Sequence, residues 1–150
     1  MHKFDLKNKT AIITGGAQGF GLDIAKRFLD SGAKAIIWDI DEKELIKASK
    51  EINNPNLKYN VVDVSNFNEV NKTVDQIAKS SNIDILINNA GITGSTSTLW
   101  DYDVDEWNKI IEINLMGTFN CCKTVVPYMI KNNYGRIVNV ASVAGKDGNA

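Results

Sequence analysis

The sequence predicts an α/β fold, a doubly wound parallel sheet of five strands with helices on both faces. Two observations support this prediction. Strand-like and helix-like segments alternate along the chain, which favours right-handed crossovers between parallel strands. Most of the strand-like segments are continuous apolar runs, as expected for strands that are covered on both faces rather than on one.

The apolar periodicity places each element in turn. Strands are predicted at residues 10–14, 34–39, 57–62, 83–88 and 135–140, and helices at 20–31, 41–52, 67–79 and 104–132. The first helix has one apolar face and stops at Gly32, a residue that commonly follows a helix end. Pro127 is expected to kink the last helix, because proline lacks a backbone donor. The carboxyl ends of the strands are the expected position of a ligand.

Length and composition limit which classes of protein are possible. The 150 residues fit one domain, 1–150. With 17 basic and 18 acidic side chains the net charge is close to zero, so nothing favours nucleic acid as a partner. No apolar run is long enough to cross a membrane, so a cytoplasmic protein is expected. Cys121 and Cys122 are adjacent in a predicted helix, and we expect buried thiols rather than a disulfide. The only histidine is His2, near the chain terminus, so we expect neither a histidine-containing zinc site nor a Ser-His-Asp catalytic triad.

One acidic run imitates a calcium-binding loop. Asp101, Asp103, Asp105 and Glu112 have the spacing of calcium ligands, but Glu106 occupies the position that requires glycine. We therefore predict no metal site. Asp103 with Glu106 is interpreted instead as a capping box at the start of the last helix.

A glycine-rich turn follows the first strand directly. Residues 14–21 read Thr-Gly-Gly-Ala-Gln-Gly-Phe-Gly, which gives the spacing Gly-x-x-x-Gly-x-Gly. Such glycines let bare backbone approach a pyrophosphate, and the next helix offers unpaired N–H groups and the positive end of its dipole. The turn therefore predicts a dinucleotide site. Its candidate binding residues are Thr14, Gly15, Gln18, Gly19, Phe20 and Gly21.

Acidic residues end the second and third strands. Asp39 lies eighteen residues after Gly21, where a dinucleotide-binding fold places the carboxylate that binds the adenosine ribose. Its charge would repel a 2′-phosphate by about 4 kcal/mol at an effective dielectric of 20, so NAD is predicted over NADP. A solvated turn carboxylate is the ordinary alternative. Asp63 and Val64 are predicted to flank the adenine, although Asp63 could equally cap the turn to Ser65.

Polar residues also mark the later strand ends. Asn88-Asn89-Ala90-Gly91 ends the fourth strand, and its amides are expected to tie strand ends together where chain and ligand come close. Asn114 lies on the apolar stripe of the last helix, and Ser142 follows the fifth strand. A plain turn, a satisfied core amide and a turn serine are the ordinary alternatives for these three features.

Taken in order, these residues resemble the short-chain dehydrogenase/reductase family over the entire chain. The turn at 14–21 is similar to its cofactor loop, and residues 88–91 match its Asn-Asn-Ala-Gly signature. Asn114 and Ser142 fall where the family has its helix asparagine and its catalytic serine. The resemblance is similar for 3-oxoacyl carrier-protein reductases and for sugar or polyol dehydrogenases.

The resemblance implies a Rossmann fold and an oxidoreductase that moves a hydride between NAD and a secondary alcohol or carbonyl. It implies that Ser142 orients the substrate oxygen and that Asn114 holds a water of the proton relay. It also implies a small-molecule substrate and a homo-oligomer, dimer or tetramer, formed through the helix at 104–132. Besides the turn at 14–21, the implied cofactor contacts are Asp39, Asp63, Val64, Asn89, Ala90 and Gly91.

One part of the family pattern does not occur in this sequence. In the family a Tyr-x-x-x-Lys motif follows the serine and supplies the general acid/base. Tyr128 and Tyr134 precede Ser142 and have no lysine four residues further on. We therefore expect an incomplete catalytic domain, truncated before the final strands and helices and inactive alone. Its fifth strand is then expected to be a sheet edge.

Two other functions stay open. A non-catalytic NAD-binding module or pseudoenzyme would bind NAD without turnover. A methyltransferase that uses S-adenosylmethionine also has a glycine loop and an acidic residue after the second strand. It gives no role to residues 88–91, to Asn114 or to Ser142, and it is the less favoured of the two.

Overall fold

A computed structural model describes residues 4–148, which form one parallel sheet of five strands with helices around it. The strands are β1 (Thr10–Thr14), β2 (Lys34–Asp39), β3 (Leu57–Val61), β4 (Ile85–Asn88) and β5 (Arg136–Asn139). Their order across the sheet is β3-β2-β1-β4-β5, and every neighbouring pair is parallel. Strands β2 and β3 are added on one side of β1, and β4 and β5 on the other, which confirms the predicted doubly wound fold. In such folds a ligand binds at the carboxyl ends of the strands where this order reverses, here between β1 and β4.

Helices cover both faces of this sheet. The core on one face includes residues of α1 (Gly19–Asp30) and α2 (Glu42–Ile52), and the core on the other face includes residues of α3 (Phe67–Ala78) and α5 (Gly117–Lys131). Ala11 and Ile13 of β1 belong to the first core and Ile12 to the second. Successive strand residues point to opposite faces, so one continuous apolar run fills both cores.

The helix predicted at 104–132 is present but is not uniform. It consists of α4 (Val104–Ile111), a π-helical turn at Glu112–Met116, and α5. The predicted helix is confirmed, but the sequence did not reveal this turn, because apolar spacing does not distinguish a locally widened turn from a regular one. Pro127 lies inside α5, which continues to Lys131, and the predicted kink stays a prediction. Turns of this kind occur frequently at functional sites.

Two short elements were not predicted, a 3₁₀ turn at Leu99–Asp101 and α6 (Ala144–Asp147). Both are too short for apolar periodicity to reveal them. The capping-box prediction is confirmed for one of its two residues. The Asp103 carboxylate accepts a hydrogen bond from the Glu106 backbone N–H at 2.8 Å. The Glu106 carboxylate instead accepts from the backbone N–H of Ser95 at 2.9 Å and from its hydroxyl at 2.6 Å.

The strand β5 forms one edge of the sheet, as expected. All four of its residues are exposed, whereas all four residues of β4 are buried. In the register of the pair, Val138 lies opposite Ile87, yet Val138 is 50% exposed and Ile87 is 3% exposed. Packing on this sheet therefore stops at β4 within the part of the chain that the structure describes.

The two cysteines are free, in agreement with the expectation that they do not form a disulfide. Cys121 is fully buried and Cys122 is half-buried, so burial is complete only for the first. Burial, together with the neighbouring Cys122, raises the pKa of the Cys121 thiol to about 12. In the described range, 4–148, no helix combines the length and the apolar character needed to cross a membrane.

Candidate functional site

The carboxyl ends of β2, β3 and β4 open onto a cleft of about 970 Å³. The glycine turn forms one wall and the first turns of α4 form another. Predicted cofactor residues that line the cleft are Gly15, Gln18, Asp39, Asp63, Val64, Asn89, Ala90 and Gly91. The fold thus brings together predicted residues that are up to 76 positions apart in the sequence, from Gly15 to Gly91.

The three glycines that define the Gly-x-x-x-Gly-x-Gly spacing of the turn have different structural roles. Gly15 has φ +62°, and a Cβ there would lie 2.9 Å from the Cα of Ala90. A Cβ on Gly21 would collide with the Gly15 carbonyl oxygen and lie 2.7 Å from Nδ2 of Asn89. Gly19 has φ +54° and no atom within 4 Å of the position of a Cβ. Gly15 and Gly21 therefore allow close packing of the turn, and Gly19 keeps the space in front of it open.

The helix that follows the turn begins without a side-chain cap. The N-cap residue of α1 is Gln18, whose side chain makes no capping hydrogen bond, and its first turn contains no acidic residue. By contrast, α2, α3 and α4 are capped by Asp41, Asn66 and Asp103. The positive end of the α1 dipole thus faces the turn without a compensating protein carboxylate in its first turn. This is the arrangement that binds a phosphate group.

Thr14 and Asn89 join the turn to the end of β4. The Thr14 hydroxyl accepts hydrogen bonds from the backbone N–H groups of Asn89 and Ala90, both at 3.0 Å, and it is buried. The Asn89 amide donates to the carbonyl oxygens of Thr14 at 3.0 Å and Gly15 at 3.1 Å. These bonds confirm that an amide of residues 88–91 ties strand ends together, and they fix the turn at the edge of the cleft.

Replacing Thr14 with valine should lower the free energy of unfolding by about 2 kcal/mol, because two half-buried N–H groups lose their acceptor. Chemical denaturation measures this loss. Thr14→Ser keeps the hydroxyl and should cost less than half as much. A larger loss in Thr14→Ser than in Thr14→Val would mean that the methyl group, rather than the hydroxyl, carries the stability.

Asp39 lies between the turn and α2. Its Oδ2 accepts from the backbone N–H of Ala17 at 3.2 Å, and its Oδ1 accepts from that of Asp41 at 3.3 Å. The carboxylate is half-buried and lines the cleft. Each carboxylate oxygen has two acceptor sites, so Asp39 retains capacity to accept hydrogen bonds from a ligand. Asp39 therefore orders the turn and offers a negative charge to the cleft at the same time.

Asp63 fits both interpretations of its sequence. Its Oδ1 accepts from the backbone N–H of Ser65 at 2.9 Å and from the Ser65 hydroxyl at 2.6 Å, so it does cap that turn. It also lines the cleft beside Val64. Both residues follow β3, and Ile40, which follows β2, also lines the cleft on this side.

Asn88 joins the ends of β4 and β5 rather than lining the cleft. Its amide donates to Oδ1 of Asn139 at 2.8 Å and lies 3.3 Å from Sγ of Cys122. Asn88 and Asn139 face each other in the register of the two strands. This side-chain hydrogen bond therefore links the carboxyl ends of β4 and β5.

The two predicted catalytic residues stand outside the lining of the cleft. Asn114 lies in the π-helical turn, and its amide accepts from the Ile92 N–H and donates to the Ile92 carbonyl, both at 2.9 Å. Ser142 is exposed after β5, where its hydroxyl accepts from the Ala144 N–H at 3.2 Å. The catalytic roles of Asn114 and Ser142 stay predictions.

Sequence reasoning missed the wall that α4 contributes. Three polar residues of α4 and the first residue of the π-helical turn recur at helical spacing, and that polar stripe was a usable signal beside the apolar one. They are Asp105, Asn108, Lys109 and Glu112. Trp38, Ile40, Asp41, Ile92 and Ile113 also line the cleft and carried no chemical signal of their own.

A glycine-rich turn before an uncapped helix, an acidic strand end and a shared cleft at the reversal point of the sheet are together typical of a dinucleotide-binding fold. The sequence model of short chain dehydrogenases matches residues 9–150. The chain belongs to the short-chain dehydrogenase family. Among curated members of this family, it is 43% identical over 142 residues to a 2-dehydro-3-deoxy-L-rhamnonate dehydrogenase (NAD(+)) of a Sphingomonas species. It is 38% identical over 147 residues to a 3-oxoacyl-[acyl-carrier-protein] reductase of Chlamydia muridarum.

Solved structures of short-chain dehydrogenases have the same architecture. The structure of an NAD⁺-bound xylitol dehydrogenase superimposes with a TM-score of 0.91 at 34% identity, over 99% of this chain and 57% of that one. The serine dehydrogenase of Escherichia coli gives a TM-score of 0.88 at 31% identity, over 94% of this chain and 65% of that one. The matches cover 94% and 95% of this chain but 56% and 59% of the two curated relatives. This short-chain dehydrogenase chain thus spans little more than half of their length.

Proposed function

We propose that the chain binds NAD in the cleft and belongs to an oxidoreductase that moves a hydride between NAD and a secondary alcohol or carbonyl. The observation that carries the proposal is that one turn combines the uncapped terminus of α1 with Asp39, whose carboxylate accepts from the Ala17 N–H just before that terminus. A dinucleotide needs both groups, an anion site for its pyrophosphate and an acceptor for its ribose hydroxyls.

The residues present fit an NAD molecule. The open space at Gly19 lies in front of the α1 terminus and suits a pyrophosphate. Asp39 would accept hydrogen bonds from the adenosine ribose, and Asp63 with Val64 would border the adenine. The other half of the molecule would then lie on the β4 side, beside Ala90, Gly91 and Ile92.

The bound nicotinamide would accept a hydride from an alcohol or give one to a carbonyl. The residues of this chain would bind and orient the dinucleotide for that transfer. Ser142 would hold the substrate oxygen, and Asn114 would hold a water of the proton relay. The general acid/base itself would come from a tyrosine of the family motif, which follows the serine. On this proposal the chain contributes cofactor binding, and the 150 residues alone bind NAD without turnover.

The relatives' names support a secondary alcohol and carbonyl pair as the common chemistry. They cover a sugar acid, a 3-oxoacyl chain and a polyol. The polar residues 93–98 follow the cleft residue Ile92, and we place them at the border of the substrate pocket. The proposed substrate is thus a small alcohol or carbonyl compound, with no narrower class assigned.

A homo-oligomer formed through the long helix is also proposed. Trp107, Ile111, Leu115 and Phe119 recur at four-residue steps along it, and all four are exposed. A row of large apolar side chains on one helix is typical of a surface that another protein covers. Sedimentation equilibrium should give a mass at least twice that of one chain.

Equilibrium titration tests the proposed cofactor directly. The chain should bind NAD saturably, bind NADP at least about tenfold more weakly because of Asp39, and not bind S-adenosylmethionine. Binding of S-adenosylmethionine in preference to NAD would identify a methyltransferase instead. If the whole protein bound NAD but oxidised no alcohol and reduced no carbonyl, a non-catalytic NAD-binding module would replace the oxidoreductase.

A further inference from the structure

The four residues that directly follow the Asn-Asn-Ala-Gly segment lie along one face of the long helix. We call this segment, residues 92–95, the strap. Ile92 is held by both groups of the Asn114 amide at 2.9 Å. Ser95 is held by both oxygens of the Glu106 carboxylate at 2.9 and 2.6 Å. Between these two attachments, a Cβ on Gly94 would lie 2.6 Å from Cδ1 of Ile110.

The three attachment points are in register. Glu106, Ile110 and Asn114 are four residues apart, so they share one helix face and span about 12 Å. The strap covers three residue steps, which is about 10 Å of extended chain. Its direction is opposite to that of the helix, because Ile92 meets Asn114 and Ser95 meets Glu106. The strap is therefore fastened at both ends and packed in the middle.

The Glu106 side chain holds the strap and is not required to cap α4. Asp103 already caps α4, and the Glu106 side chain leaves the capping box to bind Ser95. Both bonds involve an ionised carboxylate acceptor, which makes them stronger than bonds between neutral groups. By contrast, Glu69 occupies the same position of α3, three residues after the capping Asn66. The Glu69 backbone N–H is capped in the same way, but its side chain makes no such bond to a loop within residues 4–148.

The strap begins at the wall of the cleft. Ile92 lines the cleft together with Ala90 and Gly91, on the β4 side of the glycine turn. With the adenosine half on the β2–β3 side beside Asp39, this wall faces the nicotinamide half of the proposed cofactor. A shift of Ile92 would therefore change one half of the binding site and leave the other half as it is.

We propose that Glu106 is a positioning residue that fixes the wall of the nicotinamide half of the cleft by holding Ser95, and through it the strap, against α4. The proposal rests on the proposed binding of NAD. Glu106 lies at the far end of the strap from Ile92, and it acts on the cofactor only through the strap. Its loss should weaken the binding of ligands that fill the nicotinamide half and spare ligands that fill only the adenosine half.

The test compares NAD with ADP, which carries the adenosine and the two phosphates but no nicotinamide riboside. Glu106→Ala should raise the Kd for NAD about tenfold and leave the Kd for ADP within a factor of about two. Glu106→Gln keeps one acceptor oxygen for the Ser95 N–H and should give an intermediate value for NAD. Glu69→Ala, the matched control, removes a glutamate from the equivalent helix position and should change neither Kd.

A second variant reaches the strap without touching Glu106. Gly94→Ala would push the strap away through contact with Ile110 and the Tyr102 hydroxyl, and it should show the same selective loss of NAD affinity. Hydrogen exchange gives a readout that needs no ligand. The Ser95 amide should exchange faster in Glu106→Ala than in the unmodified chain, whereas exchange at the amide of residue 106, which is bonded to Asp103, should stay the same.

The outcomes separate this inference from the function on which it rests. If the unmodified chain binds ADP but not NAD, or neither, the proposed function fails and this inference fails with it. If the chain binds NAD and Glu106→Ala binds it equally well, only the role of Glu106 is overturned. Equal losses for NAD and ADP would make Glu106 a general stability residue and would also overturn the proposal.

Discussion

Replacing Gly21 with alanine should raise the Kd for NAD at least about a hundredfold and lower the free energy of unfolding by about 3 kcal/mol. The added methyl group would collide with the Gly15 carbonyl oxygen and with Nδ2 of Asn89. Neither neighbour can turn away cheaply, because one is backbone and the other holds Thr14 and Gly15 in place. The turn would have to open, and the α1 terminus would no longer face the space in front of Gly19.

Calorimetric titration with NAD and thermal unfolding measure the two effects. Gly145→Ala is the control, since a Cβ at Gly145 meets no atom within 4 Å and its φ is not positive. Gly19→Ala separates the two effects. Its methyl group meets no protein atom, so it should cost only the strain of φ +54°, about 1–2 kcal/mol, while it occupies the space proposed for the pyrophosphate. Normal NAD affinity in Gly19→Ala would contradict the assignment of that space.

Replacing Asp39 with asparagine should remove most of the preference for NAD over NADP. The amide oxygen of the new side chain would still accept from the Ala17 N–H, so the turn should keep its shape, but the charge that repels a 2′-phosphate is lost. That repulsion is about 4 kcal/mol at 4 Å and an effective dielectric of 20, and the half-buried position of Asp39 reduces it. Half of that energy still corresponds to more than a tenfold change in the ratio of the two dissociation constants.

The measurement is the ratio of the Kd for NADP to the Kd for NAD, at one fixed ionic strength because exposed charges are screened by salt. The control is Glu44→Gln, which removes a charge of the same sign from α2. Glu44 is paired with Lys47 on the exposed surface and does not line the cleft. A ratio that stays constant in Asp39→Asn would mean that shape, rather than charge, selects the cofactor.

Most of the fold could be predicted from the sequence because local patterns decide it. The strands β1, β2 and β4 are apolar enough to be buried on both faces, and every predicted strand is present within two residues of its predicted bounds. The positions of the glycine turn and Asp39 could also be predicted, since strand ends of a parallel sheet meet at one edge. In these cases the pattern that carries the information, strand periodicity or glycine spacing, is local in the sequence.

The features that the sequence did not reveal depend on contacts between distant residues. In the sequence, Glu106 has the spacing of the second residue of a capping box. In the structure its carboxylate binds Ser95 instead of the helix N-terminus, and only the tertiary structure brings Ser95 within reach. The π-helical turn is likewise invisible in the apolar pattern, whereas in the structure it places the Asn114 amide against Ile92. Competing partners for one polar side chain cannot be ranked until their positions are known.

The sequence by itself determined the doubly wound sheet, the glycine-rich turn and the acidic strand end, because strand and helix periodicity and the special freedom of glycine are local properties. Only the tertiary structure decided which side chains line the cleft and which serve to hold its walls. Asn89 and Thr14 hold the turn, Asn114 and Glu106 hold the strap, and α4 supplies a polar wall. The physical reason is that a hydrogen-bonding group is committed to whichever partner the fold brings within about 3 Å of it.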